Sequence, residues 1–301
     1  MAATSVQPAP SRGPIAIEPT RSLMAASRSA LLALVLRDLV VLKKNFGEFV
    51  IRTLVQPFLL VFVFLYVFPT IGQGIGGGGT GSGAAAKVAE SNFATVLVAG
   101  VVGISIMFQG IQAVAMVMAQ EFGFTREIED RVQAPCPIWL VAVAKVISGA
   151  AQGLIAALIV FPIAAVIHAK GVEAHLSVHW AVVITLIPLA CVTMTSLGLL
   201  LGTVFEARNL GLMFGFVVLP LTFLGGTYYQ WTKLSPVKVD GVHWLQILVL
   251  VNPLIYITEG MRAGLTHAEH MHLYIIYPVL IGFCAVFLTL GLRKFASRVL
   301  S

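Results

Sequence analysis

The densest group of charged side chains in this sequence lies in one short polar segment, residues 121–137. Its ionisable members are Glu121, Arg126, Glu127, Glu129, Asp130 and Arg131. Glu127, Asp130 and Arg131 fall on one side of a helix at i, i+3 and i+4 spacing. A mixed-charge face of this kind suits ion pairing with a soluble partner protein, and a solvated loop is the alternative interpretation.

A second group with candidate chemistry lies near the C-terminus and contains Asn252, Pro253, Glu259 and Arg262. Proline after asparagine is expected to interrupt a helix here. Glu259 and Arg262 stand at i, i+3 and could form a helix ion pair worth a few tenths of a kcal/mol. A gate or a structural clamp at the outer boundary, or a substrate contact, are the other interpretations.

No pattern predicts a catalytic or metal centre. The spacing of His267, His270 and His272 allows a metal site, but surface histidines are the favoured interpretation because spacing alone gives no convergent geometry. No GxxxxGK[ST] segment occurs in the sequence, so we expect no phosphate-binding loop in this chain.

The two charged groups lie between long apolar runs, which must form the elements that hold them in place. Hydrophobic residues make up 58% of the 301 residues and charged residues 11%, whereas soluble domains carry about 25% charged residues. The mean hydropathy is +0.94. The chain is therefore predicted to be a multi-pass, all-α membrane protein. Its net charge of +6 is explained by cytoplasmic loops rather than by nucleic-acid binding.

Six runs are predicted to span the membrane. They are residues 53–68, 93–119, 138–167, 181–205, 210–224 and 273–292. The pairs Gly198/Gly202 and Gly211/Gly215 are predicted to allow close helix approach in the fourth and fifth spans.

The remaining segments are assigned as follows. Residues 1–28 are predicted to be a disordered cytoplasmic tail, and residues 29–301 one membrane domain. Within it, residues 29–49 are predicted to form an amphipathic helix in the interface. A first spanning helix is the competing interpretation, but four or more charges within the segment make it costly. Residues 244–260 are too short to span and are interrupted at Asn252–Pro253, so they are predicted to form a re-entrant hairpin.

The distribution of basic residues predicts the orientation. With six spans, fourteen of the nineteen Lys and Arg residues fall on the side of both termini and five on the other side. Because cytoplasmic loops carry an excess of Lys and Arg, both termini and the segment 121–137 are predicted to be cytoplasmic.

Three segments give the chain a family resemblance. They are Arg126–Arg131 followed by Ala134-Pro135, Pro220–Tyr229 (PLTFLGGTYY), and Asn252–Arg262 (NPLIYITEGMR). In this order they resemble the ABC-2 type permeases, membrane subunits of bacterial ABC exporters, and in particular the daunorubicin-resistance and nodulation-factor branches. The segment between Glu127 and Pro135 departs from the family pattern and carries extra acidic residues.

The resemblance implies an ABC-2, or type V exporter-like, fold in the bacterial inner membrane. It implies a permease, not itself an enzyme, that pairs with a second permease copy or a homologous permease and with two separate ATPase subunits. Those ATPases would hold ATP and Mg²⁺, and this chain would need no cofactor. The amphipathic helix and the segment 121–137 would contact the ATPases.

Substrates in this family include hydrophobic drugs, lipids, glycolipids and glycans, and membrane lipid is a further expected partner. A secondary transporter or channel, or a membrane anchor, is the alternative function. The spans contain no paired carboxylates, which argues against a proton-driven carrier.

Overall fold

The structure of this chain is a computed structural model that describes residues 23–71, 84–125, 137–166, 176–236 and 243–300. Within these ranges the chain is helical, and the extended backbone forms a single isolated bridge between Leu176 and Thr266. Five helices within these described ranges are long and apolar enough to cross a membrane. The predicted all-α membrane architecture is therefore confirmed at this level of detail.

The helices are numbered here in chain order, and several of them continue through π-helical turns. They are α1 (Leu23–Lys44), α2 (Phe46–Val61, continuing through Phe62–Val67 and Phe68–Thr70), α3 (Ala84–Ile111, continuing through Gln112–Met116, Val117–Gln120 and Glu121–Thr125), α4 (Ile138–Val166), α5 (Trp180–Val204), α6 (Leu210–Met213, continuing through Phe214–Val218 and Leu219–Phe223), α7 (Trp244–Val249), α8 (Pro253–Leu265) and α9 (Leu273–Leu300).

Two predicted boundaries differ from the structure at the start of the bundle. The amphipathic helix ends at Lys44 rather than at residue 49, and the first apolar helix begins at Phe46 rather than at residue 53. Charged residues at positions 48 and 52 suggested a later start. Their side chains line a polar cavity, so the helix backbone can run past them.

The last helix also differs from its predicted range. Instead of ending at residue 292, α9 continues to Leu300. Arg293 and Lys294 are exposed on this extension, and Arg298 lies in its last turn. Basic residues in a final turn favour a helix, because they interact well with the negative end of its dipole.

The third helix is the centre of the bundle. In the most apolar window of residues 91–123, 94% of the residues are buried, against 22% in α2 and 17% in α9. Its buried side chains join the main hydrophobic cluster with residues of α5 and α8, including Met194 and Ile257. The remaining long helices therefore surround α3.

Glycine allows α5 to approach α3 closely. A Cβ atom at Gly198 would lie 2.8 Å from the Gly110 carbonyl oxygen, and one at Gly202 would lie 2.8 Å from the Ala115 Cα. The predicted close approach of the fourth span is confirmed. A Cβ at Gly211 or Gly215 meets nothing within 4 Å in the described part of the chain, so the second glycine pair makes no such contact there.

The fifth predicted span, residues 210–224, corresponds to a helix that is shorter than the five full-length apolar helices. The apolar helix around α6 covers Ala207–Phe223, which is below the roughly 20 residues that a bilayer requires. Its backbone contains a π-helical turn at Phe214–Val218. The structure thus provides five full-length apolar helices, and the crossing at 210–224 stays a prediction.

The glycine contacts predict opposite effects of the same substitution at two positions. Gly202→Ala places a Cβ against the backbone of α3, and overpacking of this kind costs about 1–3 kcal/mol. Gly211→Ala adds a methyl group in open space, where alanine favours a helix over glycine by roughly 0.5–1 kcal/mol. Thermal unfolding of the purified variants should show a lower Tm for the first and an equal or higher Tm for the second. Equal shifts would contradict the close packing.

Candidate functional site

A buried lysine joins three helices at one end of the bundle. Lys145 Nζ of α4 lies 2.8 Å from Glu121 Oε1 of α3 and 3.6 Å from Asp38 Oδ2 of α1. Lys145 is 7% exposed and Glu121 is 6% exposed. Removing one member of a buried ion pair is strongly destabilising, because the remaining charge is left without compensation. This triad therefore holds α1 against the bundle.

The structure describes one of the six residues predicted to contact a soluble partner. Glu121 faces Lys145 inside the bundle. The other five residues, Arg126, Glu127, Glu129, Asp130 and Arg131, lie outside the described residues. Their role in partner binding stays a prediction. Glu121 is both the first residue of the segment 121–137 and a member of the triad.

The C-terminal helix is fastened at the same end. Arg298 Nη1 donates to the carbonyl oxygens of Thr203 (2.9 Å), Gly202 (3.3 Å) and Phe205 (3.3 Å), which terminate α5. Its guanidinium also lies 4.5 Å from the centre of the Phe122 ring. Cations at helix C-termini satisfy the last carbonyl groups, so Arg298 joins α9, α5 and α3.

A cavity of about 370 Å³ opens beside the triad, between α1, α2, α3 and α4, and we call it the basic-end cavity. Its lining residues are Arg37, Asp38, Val41, Leu42, Asn45, Glu48, Phe49, Arg52, Ala113, Val117, Gln120, Glu121, Lys145, Ser148 and Gln152. Deeper in the bundle, Gln109 Nε2 donates to Gln152 Oε1 (3.3 Å), and Thr53 Oγ1 donates to Gln109 Oε1 (3.1 Å). A polar track therefore runs from the cavity between α2, α3 and α4.

The opposite end holds the second predicted group, around α8. Glu259 and Arg262 have no solvent exposure, and Arg262 Nη1 donates to Glu259 Oε1 at 2.7 Å. Arg262 Nη2 also donates to the Gly226 carbonyl oxygen. The carboxylate of Glu259 further accepts the backbone N–H of Trp231 (2.8 Å) and of Met271 (2.9 Å).

These contacts show that the Glu259–Arg262 ion pair matters more for stability than the few tenths of a kcal/mol expected for an exposed helix pair. Glu259 and Arg262 form the i, i+3 pair that their spacing predicts, but the pair is buried and ties α8 to the loops on either side of it. Breaking a buried pair by removing one partner costs about 3–5 kcal/mol. Of the alternatives left open by the sequence, the geometry fits a structural clamp.

The break before α8 is confirmed. Asn252 Oδ1 accepts the Leu254 N–H at 2.9 Å as an N-cap, and its Nδ2 donates to the Leu221 carbonyl oxygen at 2.7 Å. Pro253 occupies the first helical position, where it loses no intrahelical hydrogen bond. Nearby, Gly226 has φ +66°, and a Cβ there would collide with Ile255.

A second cavity of about 680 Å³ lies at this end of the bundle, between the loops that Glu259 binds, and we call it the clamp-end cavity. Tyr228, Tyr229 and Phe93 line it together with polar residues. Burial raises the pKa of Tyr229, while a Gly226 backbone hydrogen bond and the charge of Arg262 act in the opposite direction. Tyr229 is therefore a neutral hydrogen-bond donor at physiological pH, and its hydroxyl donates to the Phe223 carbonyl oxygen at 3.2 Å.

The histidines His267, His270 and His272 do not form a metal site within the described residues, where no group of three or more His, Cys, Asp or Glu side chains could hold an ion. His267 lies on the wall of the clamp-end cavity and packs edge-on against His179, with ring centres 5.5 Å apart.

Sequence reasoning missed Lys145 and Asp38 as site residues. A signal was present for Lys145, because it is the only charged residue in the helix Ile138–Val166. An ionisable residue in an apolar helix requires a partner. The partners could not be read from the sequence, since Glu121 precedes Lys145 by 24 residues and Asp38 lies on α1.

Long apolar helices around a buried central helix, with ion pairs at both ends of the bundle, are the features of a multi-pass membrane protein. The chain matches the ABC-2 type transporter family over residues 29–266. It is 30% identical over 188 residues to the "Inner membrane transport permease YadH" of Escherichia coli (strain K12), covering 62% of this chain and 69% of the relative. The protein of that name from Shigella flexneri gives the same figures.

The chain therefore belongs to the ABC-2 type transporter family. It is a multi-pass plasma-membrane permease subunit of an ABC transporter, a class that associates with ABC ATPases. The resemblance drawn from the three sequence segments is confirmed.

The buried clamp predicts a large difference between two arginine substitutions. Arg262→Gln leaves the Glu259 carboxylate buried without its cation and should lower the unfolding free energy by about 3–5 kcal/mol. Arg208→Gln is the matched control, because Arg208 pairs with Glu206 at 2.6 Å with both side chains exposed. Exposed pairs contribute about 0–1 kcal/mol. Membrane abundance and Tm in detergent should fall for the first variant only.

Proposed function

We propose that this permease exports a hydrophobic drug, lipid or glycolipid-like substrate, driven by two separate ATPase subunits and paired with a second permease copy. The observation that carries the proposal is the family match over residues 29–266. The sequence contains no phosphate-binding loop, so ATP and Mg²⁺ must be bound by partner chains.

The end of the bundle that carries the triad faces the cytoplasm in this proposal. Most basic residues of the described ranges lie there, whereas Lys87, near the start of α3, Lys233 and Arg262 lie at the other end. The basic-end residues are Arg28, Arg37, Lys43, Lys44, Arg52, Lys145, Arg208, Arg293, Lys294 and Arg298. This asymmetry matches the excess of Lys and Arg in cytoplasmic segments, so both termini are cytoplasmic.

The same orientation assigns the remaining elements. The helix α1 lies in the cytoplasmic interface, α6 completes a sixth crossing, and α7 and α8 form a re-entrant hairpin on the outer side. Buried positions throughout α8 support this assignment, since all of its residues are buried. Backbone that turns within a membrane is tolerated where protein surrounds it.

Coupling to ATP hydrolysis runs through the segment 121–137. Its first residue, Glu121, contacts Lys145, which also contacts Asp38 of α1. A displacement of this segment by an ATPase therefore acts directly on α4 and α1. Charged interfaces also fix partner choice and register, a role suited to Arg126, Glu127, Glu129, Asp130 and Arg131.

Reversing two charges of this segment tests the coupling. Glu127→Lys combined with Glu129→Lys should abolish transport and substrate-stimulated ATP hydrolysis in the reconstituted complex, because like charges across an interface cost several kcal/mol. Glu206→Lys is the control, since Glu206 is exposed at the same end in a short connection. Wild-type transport by the double variant at normal abundance would exclude the docking role, and transport without any ATPase would favour a secondary transporter.

Thiol labelling tests the orientation. In a background without Cys136, Cys191 and Cys284, a cysteine introduced by Gly78→Cys should react with an impermeant maleimide added outside intact cells. One introduced by Glu129→Cys should react only after the membrane is opened. The reverse pattern would invert the assigned topology.

A further inference from the structure

The basic-end cavity contains a buried hydroxyl group with no protein partner. Ser148 is 3% exposed, and its Oγ has no hydrogen bond. Other serines in the described helices satisfy their hydroxyl groups locally: Ser105 Oγ donates to the Val101 carbonyl (2.7 Å) and Ser196 Oγ to the Val192 carbonyl (2.7 Å). An unpaired buried hydroxyl costs about 1–3 kcal/mol, so the cavity presents Ser148 to a ligand.

Two charges on the wall of the cavity are also unmatched. Glu48 and Arg52 stand at i, i+4 on α2, both line the cavity, and neither has an ion-pair partner among the described residues. The other charges of the lining are already compensated, because Lys145 pairs with Glu121 and Asp38, and Arg37 lies 3.9 Å from Asp38. The cavity therefore offers one cation and one anion, side by side, together with primary amides.

Apolar surface lies next to these charges. Ile51 and Val55 of α2, one residue before and three residues after Arg52, are 66% and 51% exposed, and Leu36 of α1 is 58% exposed. Exposed aliphatic side chains beside a polar cavity suit an amphiphile whose chains remain in the hydrocarbon. Because one cation and one anion are available, the matching polar group carries both charges.

We propose that the basic-end cavity binds the headgroup of a zwitterionic phospholipid of the phosphoethanolamine class. The phosphate pairs with Arg52, the primary ammonium pairs with Glu48, and Ser148 donates to an oxygen of the headgroup. This site goes beyond the transport activity and rests on the proposed function only in assigning the lipid to the cytoplasmic leaflet. An anionic headgroup would leave Glu48 uncompensated, and a quaternary ammonium could not donate a hydrogen bond to it.

The test uses the full-length permease, purified alone in detergent and titrated with dioleoyl phosphatidylethanolamine, phosphatidylcholine or phosphatidylglycerol. Bound lipid is counted by native mass spectrometry. The wild type should prefer phosphatidylethanolamine over both others. Arg52→Gln should weaken its binding about tenfold, which is the effect of losing one charged hydrogen bond.

Substitution of Glu48 gives the sharpest result. Glu48→Gln should weaken phosphatidylethanolamine binding and strengthen phosphatidylglycerol binding, because it removes the repulsion of a lone phosphate. The controls are Glu206→Gln and Arg293→Gln, which remove exposed charges at the same end but outside the cavity, and neither should change lipid selectivity. An unchanged selectivity in Glu48→Gln would overturn the proposal.

Ser148→Ala separates a ligand contact from a folding role. It should weaken phosphatidylethanolamine binding several-fold without lowering Tm, because no protein hydrogen bond is lost. Ser196→Ala is the control, with no expected effect on lipid binding. Soluble glycerophosphoethanolamine should compete poorly, and competition equal to that of the lipid would exclude a membrane source. These measurements need neither ATPase nor transport, so their failure and a failure of the export proposal are distinguishable.

Discussion

Helices in a bilayer gain no hydrophobic free energy by associating with one another, so the contact between α3 and α5 depends on close van der Waals packing. Gly110, Gly198 and Gly202 allow it, since a Cβ at any of them would lie within 2.8 Å of the facing helix. With α5 so close, α3 can lie at the centre of the bundle. The cavity at each end and the clamp around α8 are all built against this central helix.

The bilayer also determines how charged side chains are arranged inside the bundle. Buried ionisable groups must be paired, and the chain meets this requirement differently at its two ends. The pair Glu259–Arg262 bonds largely to backbone atoms, which gives a rigid clamp. The triad of Lys145, Glu121 and Asp38 joins side chains on three separate helices. Relative movement of those helices therefore changes ion-pair geometry at the triad before it affects the clamp.

Three features could be predicted because each depends on local sequence. They are the long apolar runs, the break at Asn252–Pro253 and the close helix approach at Gly198 and Gly202. Burial of Glu259 and Arg262 could not, since i, i+3 spacing is the same in exposed and buried pairs. Gly211 and Gly215 have the spacing of the packed pair and yet contact nothing within 4 Å, because a spacing motif does not specify which helix face has a neighbour. The partners of Lys145 are distant in sequence, so only the folded chain reveals the triad.

The triad and the basic-end cavity share three residues, Asp38, Glu121 and Lys145, so the proposed lipid site overlaps the proposed coupling route. A headgroup between Arg52 and Ser148 would bridge α2 and α4 beside α1. Any displacement of α1 or of Glu121 by an ATPase would then change the shape of the headgroup site. Because such coupling is reciprocal for binding free energies, a lipid that prefers one position of α1 would also shift the affinity of the permease for its ATPase. In the proposed orientation, the composition of the cytoplasmic leaflet would therefore influence how tightly the two subunits engage.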